Sequence, residues 1–436
     1  MTRFFCRFVV VLAAASVLPG CAWGGGLDAE TGWAVNVGGP AYEASDGTSY
    51  VAETSVKGGT PGRIEAVKGS QDETLYQSYR EGDVRIDHPI ANGTYDITFH
   101  FAEPLSIERD QRVFAAFAEG RKVIDELDVM LFRDGKVRSA LTVTAHGVVV
   151  TDGALNIHFE ASRRQPVISA LQVRRKSMRD ASWELVWQDE FDGPELDASK
   201  WSYRVWEPGK VNAEDQAYTA RTKNVRVEDG QLVIEAHRED YHGARYTSAR
   251  IHTSGKADFL YGRFEARAKL PRGQGTWPAI WMLPSDPFVY ATTCSAPEEW
   301  QGNDDCDAWP NSGEIDIMEH VGNQMNHVHG TVHTRAYYWR MWEQRKGRIL
   351  IDDAAEAFHV YALEWSPERI DVFVDDSLYF TYVNEHKTWQ EWPFDRPFFL
   401  ILNMAVGGAW GRAGGPIDDS VFPQKMLVDY VRVYRR

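Results

Sequence analysis

Three acids in one short run could do chemistry together: Glu314, Asp316 and Glu319 in Gly313-Glu-Ile-Asp-Ile-Met-Glu-His320. Glu314 and Asp316 lie two apart, so an extended chain projects both to one face while Ile315 and Ile317 point to the other. Glu319 has the wrong parity for that face on a regular strand. One extra residue, a β-bulge near Ile317 or Met318, restores the parity and lines up all three carboxyls. Acids so close repel one another, and the repulsion spreads their pKa values. A protonated carboxyl beside an ionised one is what a general acid working beside a nucleophile requires. The competing reading is a charged strand edge facing solvent.

Such a strand needs a sheet around it, and the chain supplies the pattern. Alternating runs occur at 262–270, 360–365, 370–374 and 427–434, punctuated by Gly and Pro. Many short strands of this kind predict two packed antiparallel sheets. A separate β-rich region precedes them, with strict alternation in Tyr95-Asp-Ile-Thr-Phe-His-Phe101 after an Asn92-Gly93 turn signal. Further strand-like runs fall at 148–150, 155–159 and 167–173, and no long amphipathic helix is apparent. The charged stretch at 174–180 reads as a hinge. The predicted class is all-β: a sandwich at 29–176 and a second sandwich at 181–436.

Composition agrees with a soluble two-domain chain of 436 residues, 43% hydrophobic and 25% charged. The 16 Trp and 18 Tyr serve sheet cores, but flat rings also stack on the C–H faces of sugars. A net charge of −16 without a basic tract disfavours nucleic acid, whose phosphates need clustered cations. It favours a neutral polymer over a sulfated one.

The first residues read as an export signal, with Arg3 and Arg7 before a short apolar run at 8–18. Leu18-Pro19-Gly20-Cys21 resembles a bacterial lipobox, which makes 1–20 a signal peptide, Cys21 the lipidated residue and 21–28 a linker. The expected location is the outer membrane, with secreted or periplasmic release as the alternative. Cys294 and Cys306 share one polar stretch; in an oxidising compartment a disulfide is the natural reading, with two free thiols as its alternative.

The acid run resembles the bulged Glu-x-Asp-x-x-Glu signature of glycoside hydrolase family 16. The resemblance extends over Trp183–Phe191, Asn212-Ala-Glu214-Asp-Gln216, Tyr246–Arg250, Trp277–Pro284, His329-Gly-Thr-Val-His333 and Asn403–Gly408. It implies a jelly-roll sandwich and a retaining mechanism, with Glu314 as nucleophile, Glu319 as acid/base and Asp316 between them. It further implies sugar-stacking roles for Trp281 and Trp309, His333 beside the acids, and glycone-side positions for Asn212, Glu214 and Arg250; Trp410, after the Gly407-Gly408 turn, is placed to cover another subsite. A structural calcium would fall to Glu190, the backbone of Gly230, and Asp429; no cofactor is implied for catalysis. The stretch 286–307 looks like an insertion.

Residues 29–176 resemble a malectin-like carbohydrate-binding domain through Asn36-Val-Gly38-Gly39, Leu75-Tyr76, Phe99–Glu103 and Gln111–Phe114. Tyr42, Tyr76 and Tyr79 are its candidate sugar contacts. Together the two resemblances imply a monomeric, laminarinase-like endo-β-1,3-glucanase acting on laminarin-like or mixed-linkage β-glucan. The alternatives are a galactan hydrolase of the agarase or carrageenase kind, and a glucan-binding protein without catalysis.

Overall fold

A computed structural model of the chain describes residues 31–53, 55–175, 183–295 and 300–436. The export signal, Cys21 and most of the expected hinge lie outside the described residues. The described residues are built from strands, and their three α-helices have only four residues each.

In the first domain the alternating run becomes the strand Gly93–Phe101. Its Tyr95, Ile97, Phe99 and Phe101 enter the core with Val143, Leu171 and Val173. This strand lies between Leu141–Val150 and Ala170–Arg175. A second sheet, centred on Ser78–Pro89 and Ala154–Arg163, closes the sandwich. The alternation also predicts a wet face, yet Asp96 and His100 on that face are buried. Tyr50 and Tyr76 both hydrogen-bond the His100 ring, and the second domain stands across a shared cavity from it.

In the second domain the outer sheet runs through Gln231–Tyr241, Gln424–Arg435, Gly262–Lys269, His359–Trp365, Arg369–Val374 and Ser377–Val383. The inner sheet runs in the order Arg250–His252, Phe398–Val406, Thr276–Pro284, Glu314–His320, His327–His333, Arg345–Leu350. Side chains facing one another between these sheets, among them Phe264, Ile315, Met318, Leu363 and Leu402, form one continuous core. Each such side chain contributes roughly 1.5–3 kcal/mol by leaving water.

The two domains share a sheet. Ile349 on Arg345–Leu350 pairs in parallel with Thr144 on Leu141–Val150, so the inner sheet of the second domain continues into the first. Lys68 pairs with Glu343 at 2.8 Å, and Gln71 donates to the carbonyl of Val383 at 2.9 Å. Cys294 and Cys306 are joined, with Cα atoms 5.1 Å apart.

Candidate active site

The strand Glu314–His320 sits in the middle of the inner sheet and carries the expected bulge. Asp316 pairs with Thr331 and Glu319 with His329, so three steps on the acid strand match two on its neighbour. On the other side Trp281 faces Asp316 and Ala279 faces Glu319. Ile317 and Met318 are both buried in the core, and the added residue turns Glu319 back to the face of Glu314 and Asp316. A bulge leaves backbone groups without a ladder partner. Here the Tyr379 hydroxyl, reaching across from the outer sheet, donates to the carbonyl of Ile317 at 3.0 Å. The path is open because Gly330 lies beneath the ring: a Cβ there would come within 3.0 Å of the Tyr379 oxygen.

Each outer acid has an indole donor. Trp309 Nε1 donates to Glu314 at 3.0 Å, and Trp277 Nε1 donates to Glu319 at 3.1 Å. Asp316 hydrogen-bonds to Glu314. His333 Nε2 stands 3.5 Å from Asp316 and 3.8 Å from Glu314. Burial holds this histidine far down, to about 3, so it sits beside the acids as a neutral ring.

Burial dominates the acids too. It raises Glu319 to about 7, against the Trp277 N–H and the Lys346 charge. Burial and then the Glu319 charge raise Glu314 to about 8, against the Trp309 N–H, Arg250 and the Asp316 hydrogen bond. Asp316 is driven well above the ordinary carboxylate range by burial and by both neighbours. Asp316 therefore keeps its proton and donates it toward Glu314. The pair Glu314 and Glu319 titrates as a unit. When it holds one proton, placing that proton on Glu319 leaves the Glu314 carboxylate with two donors, the indole of Trp309 and the hydroxyl of Asp316. Burial and the Glu319 charge hold Glu314 the higher of the two; catalysis needs the proton on Glu319, the arrangement these two donors to Glu314 support.

The expected binding residues gather on the same face. Trp281 donates to Asn403 at 2.7 Å. The Arg250 guanidinium lies between two rings, 4.7 Å from Trp206 and 4.7 Å from Trp281. Asn212 and Gln216 both donate to Glu214, at 3.3 and 2.7 Å. At the other end Trp410 packs edge-on against Trp277 and His329. Trp309 leans on Tyr338 and His333. Five residues here were not singled out from sequence: Trp206, Trp277, Asn403, Tyr338 and Lys346. Trp277 shares parity with Trp281, as the strand pattern of Trp277–Pro284 indicates, but only Trp281 is assigned a site role from sequence. Asn403 opens the Asn403–Gly408 motif, whereas Trp206, Tyr338 and Lys346 come from separate segments that no local pattern marks.

In the expected calcium set, Glu190, the backbone of Gly230 and Asp429, both acids carry arginine partners. Glu190 accepts a two-pronged pair from Arg432 at 2.8 Å, and Asp429 pairs with Arg267 at 2.7 Å. A cation bound there would have to displace the Arg432 guanidinium from Glu190 and the Arg267 guanidinium from one Asp429 oxygen. Among the candidate sugar contacts of the first domain, Tyr76 is buried against His100 and Tyr42 bonds Asp72 at 3.0 Å.

Comparison with known proteins agrees with this geometry. Residues 212–432 match the profile of glycosyl hydrolases family 16, and residues 31–175 match that of the malectin domain. A beta-glucanase of Rhodothermus marinus is 53% identical over 267 residues, covering 60% of this chain and 88% of its own. A glucan endo-1,3-beta-glucosidase of Cryptopygus antarcticus is 38% identical, covering 55% of this chain and 86% of its own. The solved laminarinase of Rhodothermus marinus superimposes with a TM-score of 0.53 at 52% identity, over 58% of this chain and 97% of its own. With a bulged strand of three acids in an aromatic cleft, and with these matches over the same residues, the chain belongs to glycosyl hydrolases family 16, joined to an N-terminal malectin domain.

Proposed function

We propose that the protein is an endo-acting β-glucanase that cleaves β-1,3-glucan and mixed-linkage β-1,3-1,4-glucan with retention at the anomeric carbon. The observation that carries the mechanism is the pair Glu314 and Glu319, turned to one face by the bulge and each held by an indole N–H. A Glu314 oxygen attacks the anomeric carbon as the bond to the leaving oxygen breaks, and Glu319 gives its proton to that oxygen. Glu319, now a carboxylate, takes a proton from water; the water oxygen joins the anomeric carbon and Glu314 leaves. Asp316 positions and tunes Glu314. Trp281 and Trp309 supply stacking surfaces for sugar rings, and Trp410 covers the far side of the acids.

The substrate reading draws on the relatives named beta-glucanase and glucan endo-1,3-beta-glucosidase. Incubation with laminarin, mixed-linkage glucan, agarose and carrageenan, with separate product analysis, tests it. Short oligosaccharides from laminarin are expected. Release from a galactan alone would keep the acids and overturn the substrate, and silence on all four would overturn the enzyme reading.

Tethering through a lipid on Cys21 belongs to the same proposal, supported by the apolar run and lipobox-like residues before it. Replacement of Cys21 with Ser is expected to move activity from the membrane fraction to the soluble fraction of the producing cell. Unchanged fractionation would overturn the anchor.

A further inference from the structure

The catalytic cleft crosses the inner sheet between two raised segments. One is the loop 334–344, whose Tyr338 packs on Trp309; the other is the 408–415 loop that carries Trp410. Away from Arg250 and Trp281, the floor passes from the acid strand to His327–His333 and then to Arg345–Leu350. There the malectin domain begins, because its strand Leu141–Val150 is the next in the sheet.

The malectin domain meets the cleft at three points in a row. In the middle, the Phe132 ring lies 4.7 Å from the His327 ring, and the Arg348 guanidinium rests 3.7 Å from the centre of Phe132. Arg348 and His329, which parity places on the cleft side of their strands, are almost wholly buried. On one flank Lys136 Nζ sits 5.4 Å from the centre of the Trp342 ring, in the loop 334–344. On the other flank Arg109 donates to the carbonyl of Ala413, beside Trp410, at 3.2 Å. Lys346, half-exposed and 5.5 Å from the Trp410 ring, is an accessible floor residue beside this wall.

We propose that the malectin domain forms the end wall of the catalytic cleft and sets how many sugar units fit on that side of the cleaved bond. Phe132 meets His327 one strand from the acids and Arg348 two strands from them, at spacings of ~4.8 Å each, so the floor on this side has room for one or two sugar rings. A longer chain must lift out of the cleft over the segment 128–136. The domain is then part of the cleavage site, and its role is to shape product length.

The inference rests on the β-glucanase reading, and one experiment separates the two. A β-1,3-linked octasaccharide of glucose is digested in water enriched in heavy oxygen, and early products are resolved by mass. The heavy label marks the reducing end created at each cut, so both fragments of every cut are identified. For the intact chain, cuts leaving one or two units on one constant side are expected to exceed cuts leaving three or more on that side. The expected excess is about tenfold, the size of effect a single pocket contact has on kcat/KM. The double variant Arg109→Ala, Lys136→Ala removes both flanking contacts from surface positions and is expected to reduce that excess at least about threefold. Phe132→Ala, checked for an intact unfolding transition, is expected to reduce it further. Equal cutting at all positions by the intact chain, or an unchanged pattern in both variants, would overturn the wall. No cutting of the octasaccharide at all would overturn the glucanase reading and the wall with it.

Discussion

Replacement of Glu314 with Gln is expected to lower turnover of laminarin on the order of 10⁴-fold or more, while binding of the glucan stays close to that of the parent. The amide keeps the shape of the carboxyl and can still accept the Trp309 N–H, which now reaches Glu314 at 3.0 Å. It has no charge with which to attack, and Asp316 loses the carboxylate toward which it donates. Two measurements decide the role. Affinity electrophoresis in laminarin reports binding, and mass spectrometry after brief exposure to a slow activated glycoside reports a covalent sugar adduct. The parent should show the adduct and the variant should not. An adduct on the variant, or parent-like turnover, would remove Glu314 from the role of nucleophile.

The second large effect belongs to Glu319. Its exchange for Gln is expected to lower turnover of laminarin about 10³-fold, within the range general acid catalysis supplies. The loss should shrink on a glucoside with a dinitrophenolate leaving group, because that oxygen departs without needing a proton. Exchange of Glu314 gives no such relief, so the ratio of the two losses separates acid from nucleophile. The pH profile gives an independent reading. Burial raises the pair, Glu319 to about 7 and Glu314 to about 8, so the one proton that the parent needs is present at lower pH and is lost as pH rises past these values. Parent activity should therefore fall on the alkaline side, and the variant should lack that limb. The Glu319 charge also raises Glu314. Removing it lowers the nucleophile's pKa, so residual activity on the activated substrate should extend to lower pH than in the parent. An alkaline limb that survives in the variant would assign the acid to another group.

Both effects trace to one register shift, and that shift was readable in advance. Glu314, Asp316 and Glu319 cannot share a face without an added residue, and the buried pair Ile317 and Met318 shows where it sits. The alternating runs likewise placed the strands Gly262–Lys269, His359–Trp365 and Arg369–Val374, because parity along a strand is a local property. Periodicity was less informative at Tyr95–Phe101. It marked one face as core, while the burial of Asp96 and His100 on the other face depends on what is packed there.

What the amino-acid order determined by itself is therefore the all-β class, the bulged acid strand, the aromatic character of the site and its resemblance to a glycosidase family. Each follows from residue type and spacing within a few positions. Tertiary structure alone decided which indole serves which acid, that Arg250 lies between Trp206 and Trp281, that Lys346 stands near Glu319, and that Glu190 and Asp429 are taken by Arg432 and Arg267. It also decided that the malectin domain abuts the cleft, through Phe132, Lys136 and Arg109. These pairings join residues tens to hundreds of positions apart. Their partners are chosen by how sheets stack and which edges meet, a choice that no local spacing records.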